Sequence, residues 1–379
     1  MILGFLAIAL ISVSCSKNEV SSVNNDVNAI NFDVTTGKTR ANVVDLAGLQ
    51  GVGFGVFATN TSSSLTFIGN EGYVYVGGAW KWDTTNPIMW PTTETDFPIN
   101  FYAYYPKTET TLTSALTANY TIAATPAAQI DFLAANQTDV IIRPSSGNVS
   151  LAFKHMLSKI NFKVVTGTHV TVEVQSITVK NAGNTGTFNY AALGWSTLPS
   201  SGTLSYNYMQ APLNDPANVF IGATTATAVT GSSGSLMLMP QDFSSRAWNN
   251  TVGGLANQSY IEVVYRIYET ATGKDVVGLT DATDHAGNSD SHVNGSLFVK
   301  VGYSLSTNWL MGKAYTYTIY LGDGSSGGSL VDDKYVDEDG NGTDLPVGPG
   351  ITDPIFPLAP IGFNVSVEDW GNENGIPLE

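Results

Sequence analysis

Residues 150–165 read SLAFKHMLSKINFKVV, and apolar and polar side chains alternate along this stretch. The alternation has the two-residue period of a half-buried strand, but its parity changes in the middle. One parity is shared by Leu151, Phe153, His155 and Leu157, and the other parity is shared by Ile160, Phe162 and Val164. Because a one-residue slip moves every side chain to the opposite face, the stretch predicts two strands joined by a bulge or by a change of sheet.

The same short period recurs along the whole chain. Further strands are predicted at 30–34, 52–58, 72–76, 78–82, 99–105, 118–123, 139–142, 170–180, 204–208, 235–239, 259–268, 296–301, 313–321 and 361–367. Gly, Asn, Pro and Thr separate these segments at short intervals, and we predict no long amphipathic helix. The predicted fold class is therefore all-β, with the strands arranged in two tandem β-sandwich domains.

The domain division follows from length and composition. The 379 residues exceed the usual size of one domain, and the polar stretch 143–149 is the best boundary between two. The predicted segments are a signal peptide at 1–15, a tether with the first strand at 16–40, an N-terminal sandwich at 41–147, a C-terminal sandwich at 148–321, a Gly- and Asp-rich linker at 322–352 and a C-terminal strand segment at 353–379.

Cys15 is the only cysteine, and it follows a short apolar run at residues 2–13. Such a run is typical of a secretory signal and is too short to span a bilayer. A cysteine after the small Ser14 indicates a bacterial lipoprotein signal, in which this residue is lipidated and becomes the first of the mature chain. The alternative is an ordinary signal peptide with an incidental cysteine or a buried thiol. Lipidation of Cys15 predicts export and attachment to the outer membrane through the lipid.

The acidic charge balance of the chain bears on which classes of molecule it can bind. Charged residues make up only 13% of the chain, and the formal net charge is −16. A chain of this charge is repelled by phosphate backbones, so nucleic-acid binding is disfavoured. Low charge with abundant Gly, Tyr, Thr, Ser and Asn is typical of exported β proteins.

Five segments together resemble the fimbrillins, the pilus subunits and related lipoproteins of Bacteroidetes. The segments are FYAYYP (101–106), HMLSKINF (155–162), LMLMPQ (236–241), GKAYTY (312–317) and VSVEDW (365–370). Each alone is weak, but their order, their spacing and the lipoprotein start make the resemblance specific across nearly the whole chain. The resemblance implies two transthyretin-like β-sandwich domains and other fimbrial subunits as partners.

The resemblance also implies a route of assembly. Fimbrillins are cut after an arginine by a trypsin-like protease, and the loss of the first strand opens a groove that a neighbouring subunit's strand fills. Arg40 is the only arginine in the first 142 residues, so the implied cut lies between Arg40 and Ala41. It would remove the strand that carries Ile30, Phe32 and Val34. The alternative is that the basic residues near Arg40 form an ordinary surface turn.

The C-terminal segment has two readings. Alternation predicts a strand, and Trp370 follows it as an aromatic anchor; the residues concerned are Ile361, Phe363, Val365, Val367 and Trp370. This strand either enters a neighbouring subunit as a donor or folds back as the last strand of its own domain. Fold-back is slightly favoured and would suit a tip or accessory subunit.

Few residues indicate chemistry. Asp337, Asp339 and Asn341 imitate the start of a calcium loop, but the twelfth position is Gly348, so a solvated acidic linker is favoured. A loop with two histidines and three carboxylates offers weak metal ligands, namely Asp281, Asp284, His285, Asp290 and His292. Residues 324–328 match a nucleophile-elbow pattern without its strand–turn–helix context. We therefore predict no enzymatic activity and no cofactor.

A cluster of aromatic residues raises the question of ligand binding. Trp80, Trp82, Trp90, Tyr102 and Tyr104 could stack on glycans, although a shared core role is the commoner explanation. The predicted function is a structural or adhesive subunit of surface fimbriae. The alternative is a monomeric outer-membrane lipoprotein that binds glycan or host protein.

Overall fold

The computed structural model describes residues 28–36, 45–61, 65–93, 96–107, 112–144, 147–200, 204–212, 215–247, 258–271, 275–277, 299–321, 329–330, 334–336, 342–344 and 361–370. Within these ranges the chain forms one α-helix, α1 (Leu46–Val52), and twenty-four strands. The first eight strands are β1 (Asn31–Thr36), β2 (Phe54–Asn60), β3 (Thr66–Val76), β4 (Ala79–Trp82), β5 (Ile99–Tyr105), β6 (Thr117–Thr121), β7 (Leu133–Val140) and β8 (Asn148–His155).

The remaining strands follow the change of parity described above. They are β9 (Ser158–Thr166), β10 (Val170–Ala182), β11 (Thr185–Asn189), β12 (Gly194–Thr197), β13 (Leu204–Gln210), β14 (Val219–Ile221), β15 (Thr227–Ala228), β16 (Leu236–Leu238), β17 (Tyr260–Glu269), β18 (Asp275–Val277), β19 (Val299–Ser304), β20 (Lys313–Leu321), β21 (Ser329–Leu330), β22 (Lys334–Val336), β23 (Gly342–Asp344) and β24 (Ile361–Asp369). The predicted all-β class is confirmed.

The N-terminal part is built on one seven-stranded sheet in the order β1-β8-β7-β5-β2-β3-β4. The sheet curls until its two edge strands approach each other, and the indole Nε1–H of Trp82 on β4 donates to the carbonyl of Ile30 just before β1 at 2.9 Å. One face of the curled sheet encloses a core of its own, which includes Phe32, Phe54 and Phe101.

Helix α1 begins at Asp45, whose carboxylate accepts from the Gly48 N–H at 2.7 Å. It ends at Gly53, whose φ of +74° favours glycine. The strand predicted from residue 52 therefore begins only at Phe54. Gly77 and Gly78, both at positive φ, form the turn between β3 and β4.

The C-terminal part is a sandwich of two sheets. One contains β13-β10-β17-β19-β21 with β14 and β18 at its sides, and the other contains β15-β9-β20-β24 with β16. Their inner faces meet through aromatic pairs: Phe162 lies 4.7 Å from Tyr208, and Tyr303 lies 4.2 Å from Phe363, between ring centroids. A smaller sheet, β12-β11-β6, covers the second face of the N-terminal sheet through contacts such as Phe188 on Phe132 at 5.0 Å.

The change of parity in residues 150–165 is a change of sheet. Strand β8 belongs to the N-terminal sheet, and β9 begins three residues after it in the C-terminal sandwich. The structure therefore differs from the predicted boundary at 143–149, which assigned β8 to the second domain. The physical reason is that the alternating Val149, Leu151 and Phe153 are buried in the N-terminal core between β1 and β7.

Short strands also lie within the segment predicted as a linker. Strand β21 pairs with β19, and β22 pairs with β23 in a small hairpin. In the part of the chain that the structure describes, no helix has the length and apolar character needed to cross a membrane.

Candidate functional site

Strand β1 is an edge strand that fills the N-terminal core. It pairs in parallel with β8 over six residue pairs, from Asn31 with Asn148 to Thr36 with Phe153. Ile30 and Phe32 are 0% and 4% exposed, and Val34 is half-buried against the same core. The structure thus brings together the three residues predicted for a removable strand.

The ring of Phe32 sits at the centre of an aromatic cage. Four other rings lie with their centroids 5.0–6.4 Å from it, all in edge-on arrangements: Tyr73, Trp82, Phe101 and Phe54. Edge-to-face contacts of this kind add to the free energy of simple burial. Of the side chains on β1, Phe32 therefore makes the largest contribution to the core.

Polar contacts hold the backbone of β1 on the side opposite β8. The Phe32 N–H donates to the Tyr73 hydroxyl at 3.4 Å, and that hydroxyl donates to the Asn31 side-chain oxygen at 3.3 Å. Burial raises the pKa of Tyr73 to about 12. Sequence reasoning did not single out Tyr73, and its place in the alternating segment 72–76 indicated only an inward-facing side chain.

Three residues predicted for processing and lipidation lie outside the described residues. These are Cys15, Arg40 and Ala41. Strand β1 ends at Thr36, four positions before Arg40 in the sequence.

The C-terminal strand lies in the sheet of its own chain. Strand β24 pairs antiparallel with β20 over nine residues, from Lys313 with Asp369 to Leu321 with Ile361. Phe363 and Val365 are half-buried against the larger core, whereas Val367 is 47% exposed. An ion pair between Lys313 and Asp369 lies at the end of this ladder.

Trp370 fixes the end of β24 to the N-terminal part. Its indole stacks on the His155 imidazole at the end of β8, with centroids 4.4 Å apart and planes at 4°. His155 Nδ1 lies 2.9 Å from Asp131 Oδ2, and all three side chains are buried. The backbone N–H of Trp370 donates to the backbone carbonyl of Gly312 at 2.8 Å. His155 is thus a buried, hydrogen-bonded side chain at the junction of the two parts.

The aromatic cluster considered as a glycan platform is mostly core. Trp82, Trp90, Tyr102 and Tyr104 are at most 5% exposed, so the core explanation applies to them. Trp80 alone is half-buried, and its ring stacks on Tyr73 at 5.9 Å.

The weak metal candidates from the sequence lie outside the described residues. Asp337, Asp339 and Asn341 lie outside the described residues, and so does the loop that holds His285 and His292. Among the residues that are described, no group of three or more His, Cys, Asp or Glu side chains is placed to hold a metal ion.

Comparison with known proteins identifies the family. The sequence profile of the fimbrillin-like family matches residues 39–334, which is more than half of the chain. No curated protein matches the chain significantly.

One solved structure shows a similar fold, and a second aligns more weakly. A fimbrial protein from Bacteroides vulgatus superposes with a TM-score of 0.57 at 15% identity, covering 90% of this chain and 99% of that one. The tip fimbrial protein Mfa3 from Porphyromonas gingivalis, truncated at its C-terminus, aligns with a TM-score of 0.38 at 10% identity, covering 84% and 94%. With the profile match across most of its length, the chain belongs to the fimbrillin-like family.

Proposed function

We propose that the chain is a structural or adhesive subunit of cell-surface fimbriae, assembled by strand exchange after proteolysis. Members of its family are structural proteins, and the chain is not an enzyme. The observation that carries the proposal is the position of β1. It is an edge strand, its side chains fill a core, and a lone arginine follows it closely in the sequence.

Removal of β1 would leave a well-defined groove. Ile30 and Phe32 are fully buried and Val34 is half-buried, so the pockets they vacate correspond to about 4–7 kcal/mol of apolar burial. The backbone edge of β8 would lose its parallel partner at the same time. An exposed edge beside empty apolar pockets is unstable in water unless another strand fills it.

A neighbouring subunit can supply that strand. Strand addition restores both the backbone hydrogen bonds and the side chains that occupy alternate pockets. The vacated groove would select a strand with large apolar residues at every second position, because Ile30, Phe32 and Val34 follow that spacing. Other fimbrial subunits are therefore the partners we propose.

The C-terminal strand bears on the position in a filament. The nine-residue ladder between β24 and β20 and the buried Trp370 support a strand that closes its own sheet. A strand that closes its own sheet is not free to enter a further subunit, so a tip or accessory position is slightly favoured over the shaft.

The N-terminal lipid would act as a temporary anchor. The exported chain would be held at the outer membrane through Cys15, and cleavage after Arg40 would release the anchor together with β1. The segment between these residues would then be a propeptide.

The proposal is tested in the organism that carries the protein. Arg40→Ala should leave the chain at its uncut length and abolish surface filaments that are labelled by antibodies against it. Lys38→Ala is the matched control, because Lys38 is a neighbouring basic residue in the same stretch. Filaments of normal abundance in Arg40→Ala would contradict the proposal.

A second experiment addresses the C-terminal strand. If residues 353–379 donate a strand, their deletion should leave only monomers. Polymers that form unchanged after the deletion would show that this segment does not donate a strand.

The rival function is a monomeric surface lipoprotein that binds glycan or host protein and keeps its lipid. The closed C-terminal sheet also suits a monomer. Such a protein would have no reason to lose its first strand, so an uncut, lipidated and monomeric surface form would favour it.

A further inference from the structure

The end of the N-terminal sheet that lies away from the C-terminal sandwich exposes a group of large apolar side chains. Four strands reach this end: β2, β3, β5 and β7. Asn60 at the end of β2 pairs with Ile99 at the start of β5, Ile99 pairs with Val140 at the end of β7, and the start of β3 pairs beside the end of β2. Three aliphatic residues next to these strand ends are 64–70% exposed. Leu65 precedes β3, and Ile141 and Ile142 follow β7. We call this group of three the apolar end.

The ladder places these residues at the same end of the sheet. The Asn60 N–H donates to the Leu65 carbonyl at 3.0 Å, so Leu65 lies beside the end of β2. Ile141 and Ile142 follow directly after β7. Strands β2 and β7 are separated only by β5, and neighbouring strands lie about 4.8 Å apart. Single exposed apolar residues are ordinary, whereas several at one end of a sheet are a candidate contact surface.

The described chain also enters the fold at this end. Asn28 precedes β1, and β1 begins beside Asn148 at the same end of the sheet. The Arg143 guanidinium, next to Ile142, donates to the Asn28 side-chain oxygen at 3.1 Å. Met89, which is 39% exposed, pairs with Ala29 beside this entry point.

The position of the entry point determines what this end faces. Twelve residues separate Asn28 from Cys15, and thirteen residue steps of fully extended chain reach at most about 45 Å. A lipid on Cys15 would therefore attach the molecule to the bilayer from this end, within about 45 Å of the membrane surface.

We propose that the apolar end docks on the lipid surface while the chain is anchored. This inference rests on the proposed lipidation of Cys15. Leu65, Ile141 and Ile142 would dip into the interfacial region of the bilayer and orient the subunit with its C-terminal sandwich outward. The contact is apolar rather than electrostatic, because a chain with a net charge of −16 is not attracted to anionic lipid. It supplies a second membrane contact beside the covalent lipid.

The first test measures depth in the membrane. A lipid-modified Cys15 leaves the chain without a free thiol, so Ile142→Cys provides a single site for an environment-sensitive fluorophore. In phosphatidylcholine vesicles that carry the lipidated protein, lipid-borne quenchers should quench this probe and aqueous iodide should not. Thr168→Cys, exposed in the β9–β10 turn at the remote end, is the control and should show the reverse. Equal quenching at the two positions would overturn the inference.

The second test removes the covalent lipid. The Cys15→Ser chain should bind phosphatidylcholine vesicles weakly, and Ile141→Asp with Ile142→Asp should lower that binding by roughly tenfold or more. Ile221→Asp is the matched control, because Ile221 is 65% exposed at the remote end, and it should leave binding unchanged. Equal losses in the two variants would overturn the inference. A second contradicting result would come from sedimentation. If the Cys15→Ser chain is a dimer, and Ile141→Asp with Ile142→Asp abolishes the dimer without changing vesicle binding, the apolar end is a contact between copies of this chain and the inference is wrong.

The mass of the N-terminal peptide separates this inference from the proposed function. A lipidated chain whose probe at residue 142 stays in water overturns the inference and leaves the fimbrial proposal standing. A chain without lipid overturns the inference together with the proposed anchor.

Discussion

The indole of Trp370 stacks face to face on the imidazole of His155, with ring centroids 4.4 Å apart. This contact joins the last strand of the chain to β8, and β8 is also the strand that pairs with β1. The first and last strands of the described chain therefore both rest on one strand, at different points along it. Removal of β1 and displacement of the segment that ends at Trp370 would each break a contact with β8.

Trp370→Ala should destabilise the chain strongly. Trp370 is 6% exposed, and truncation of a buried tryptophan costs about 3–5 kcal/mol of the free energy of unfolding. Trp370→Phe keeps an aromatic ring over His155 and should cost less than half as much. Urea unfolding followed by circular dichroism measures both. Val367→Ala, on the exposed part of the same strand, is the control and should cost less than about 1 kcal/mol. A Trp370→Ala chain as stable as that control would contradict the anchoring role.

Phe32→Ala should destabilise the uncut chain. The ring lies among four other aromatic rings, and its loss leaves a cavity that costs about 3–5 kcal/mol. Val34→Ala, at a half-buried position of the same strand, should cost at most about 1 kcal/mol. Urea midpoints of the two uncut variants provide the comparison. Equal midpoints would mean that β1 is not held by Phe32.

The groove should accept β1 as a separate peptide. After cleavage at Arg40 and removal of the N-terminal fragment, a synthetic peptide of residues 28–36 should rebind, as measured by calorimetry. The same peptide with Phe32→Ala should bind at least about tenfold more weakly, because it lacks the main apolar anchor. No difference between the two peptides would show that the pockets do not recognise the strand.

Tyr73 should report on the groove through alkaline pH. Its folded pKa is raised by burial to about 12 from the usual 10.0, so the folded state keeps the phenol protonated longer than the unfolded state does. The stability linked to this proton is fully present below about pH 10 and is lost as pH rises toward 12. Between pH 9 and 11.5 wild type should lose about 2 kcal/mol more than Tyr73→Phe. Parallel pH profiles for the two chains would contradict this linkage.

Local alternation predicted most strands of this fold, although the strand predicted at 139–142 is β7, which runs from Leu133 to Val140. The odd-to-even change in residues 150–165 is the transfer of the chain from β8 to β9, and the segment 361–367 lies within β24. A side chain's face is set by its immediate neighbours, so these features can be read from a few residues at a time.

Long-range pairing could not be predicted in the same way. Residues Asn31 and Asn148 are far apart in sequence, and no local pattern indicates that β1 pairs in parallel with β8. The sheet curls so that Trp82 reaches the Ile30 carbonyl, and this contact depends on the accumulated twist of seven strands. For the same reason the stretch 143–149 looked like a domain boundary, although β8 completes the N-terminal sheet. Tyr73 and Asp131 were missed because their partners come from other strands.

The measurement that tests the central claim most directly is the N-terminus of the protein in assembled surface filaments. Filaments are sheared from cells, and the N-terminal peptide is identified by mass spectrometry. We predict a chain that begins at Ala41, without Cys15 and without the strand of Ile30, Phe32 and Val34. A filament-derived chain that still begins at a lipidated Cys15 would contradict it.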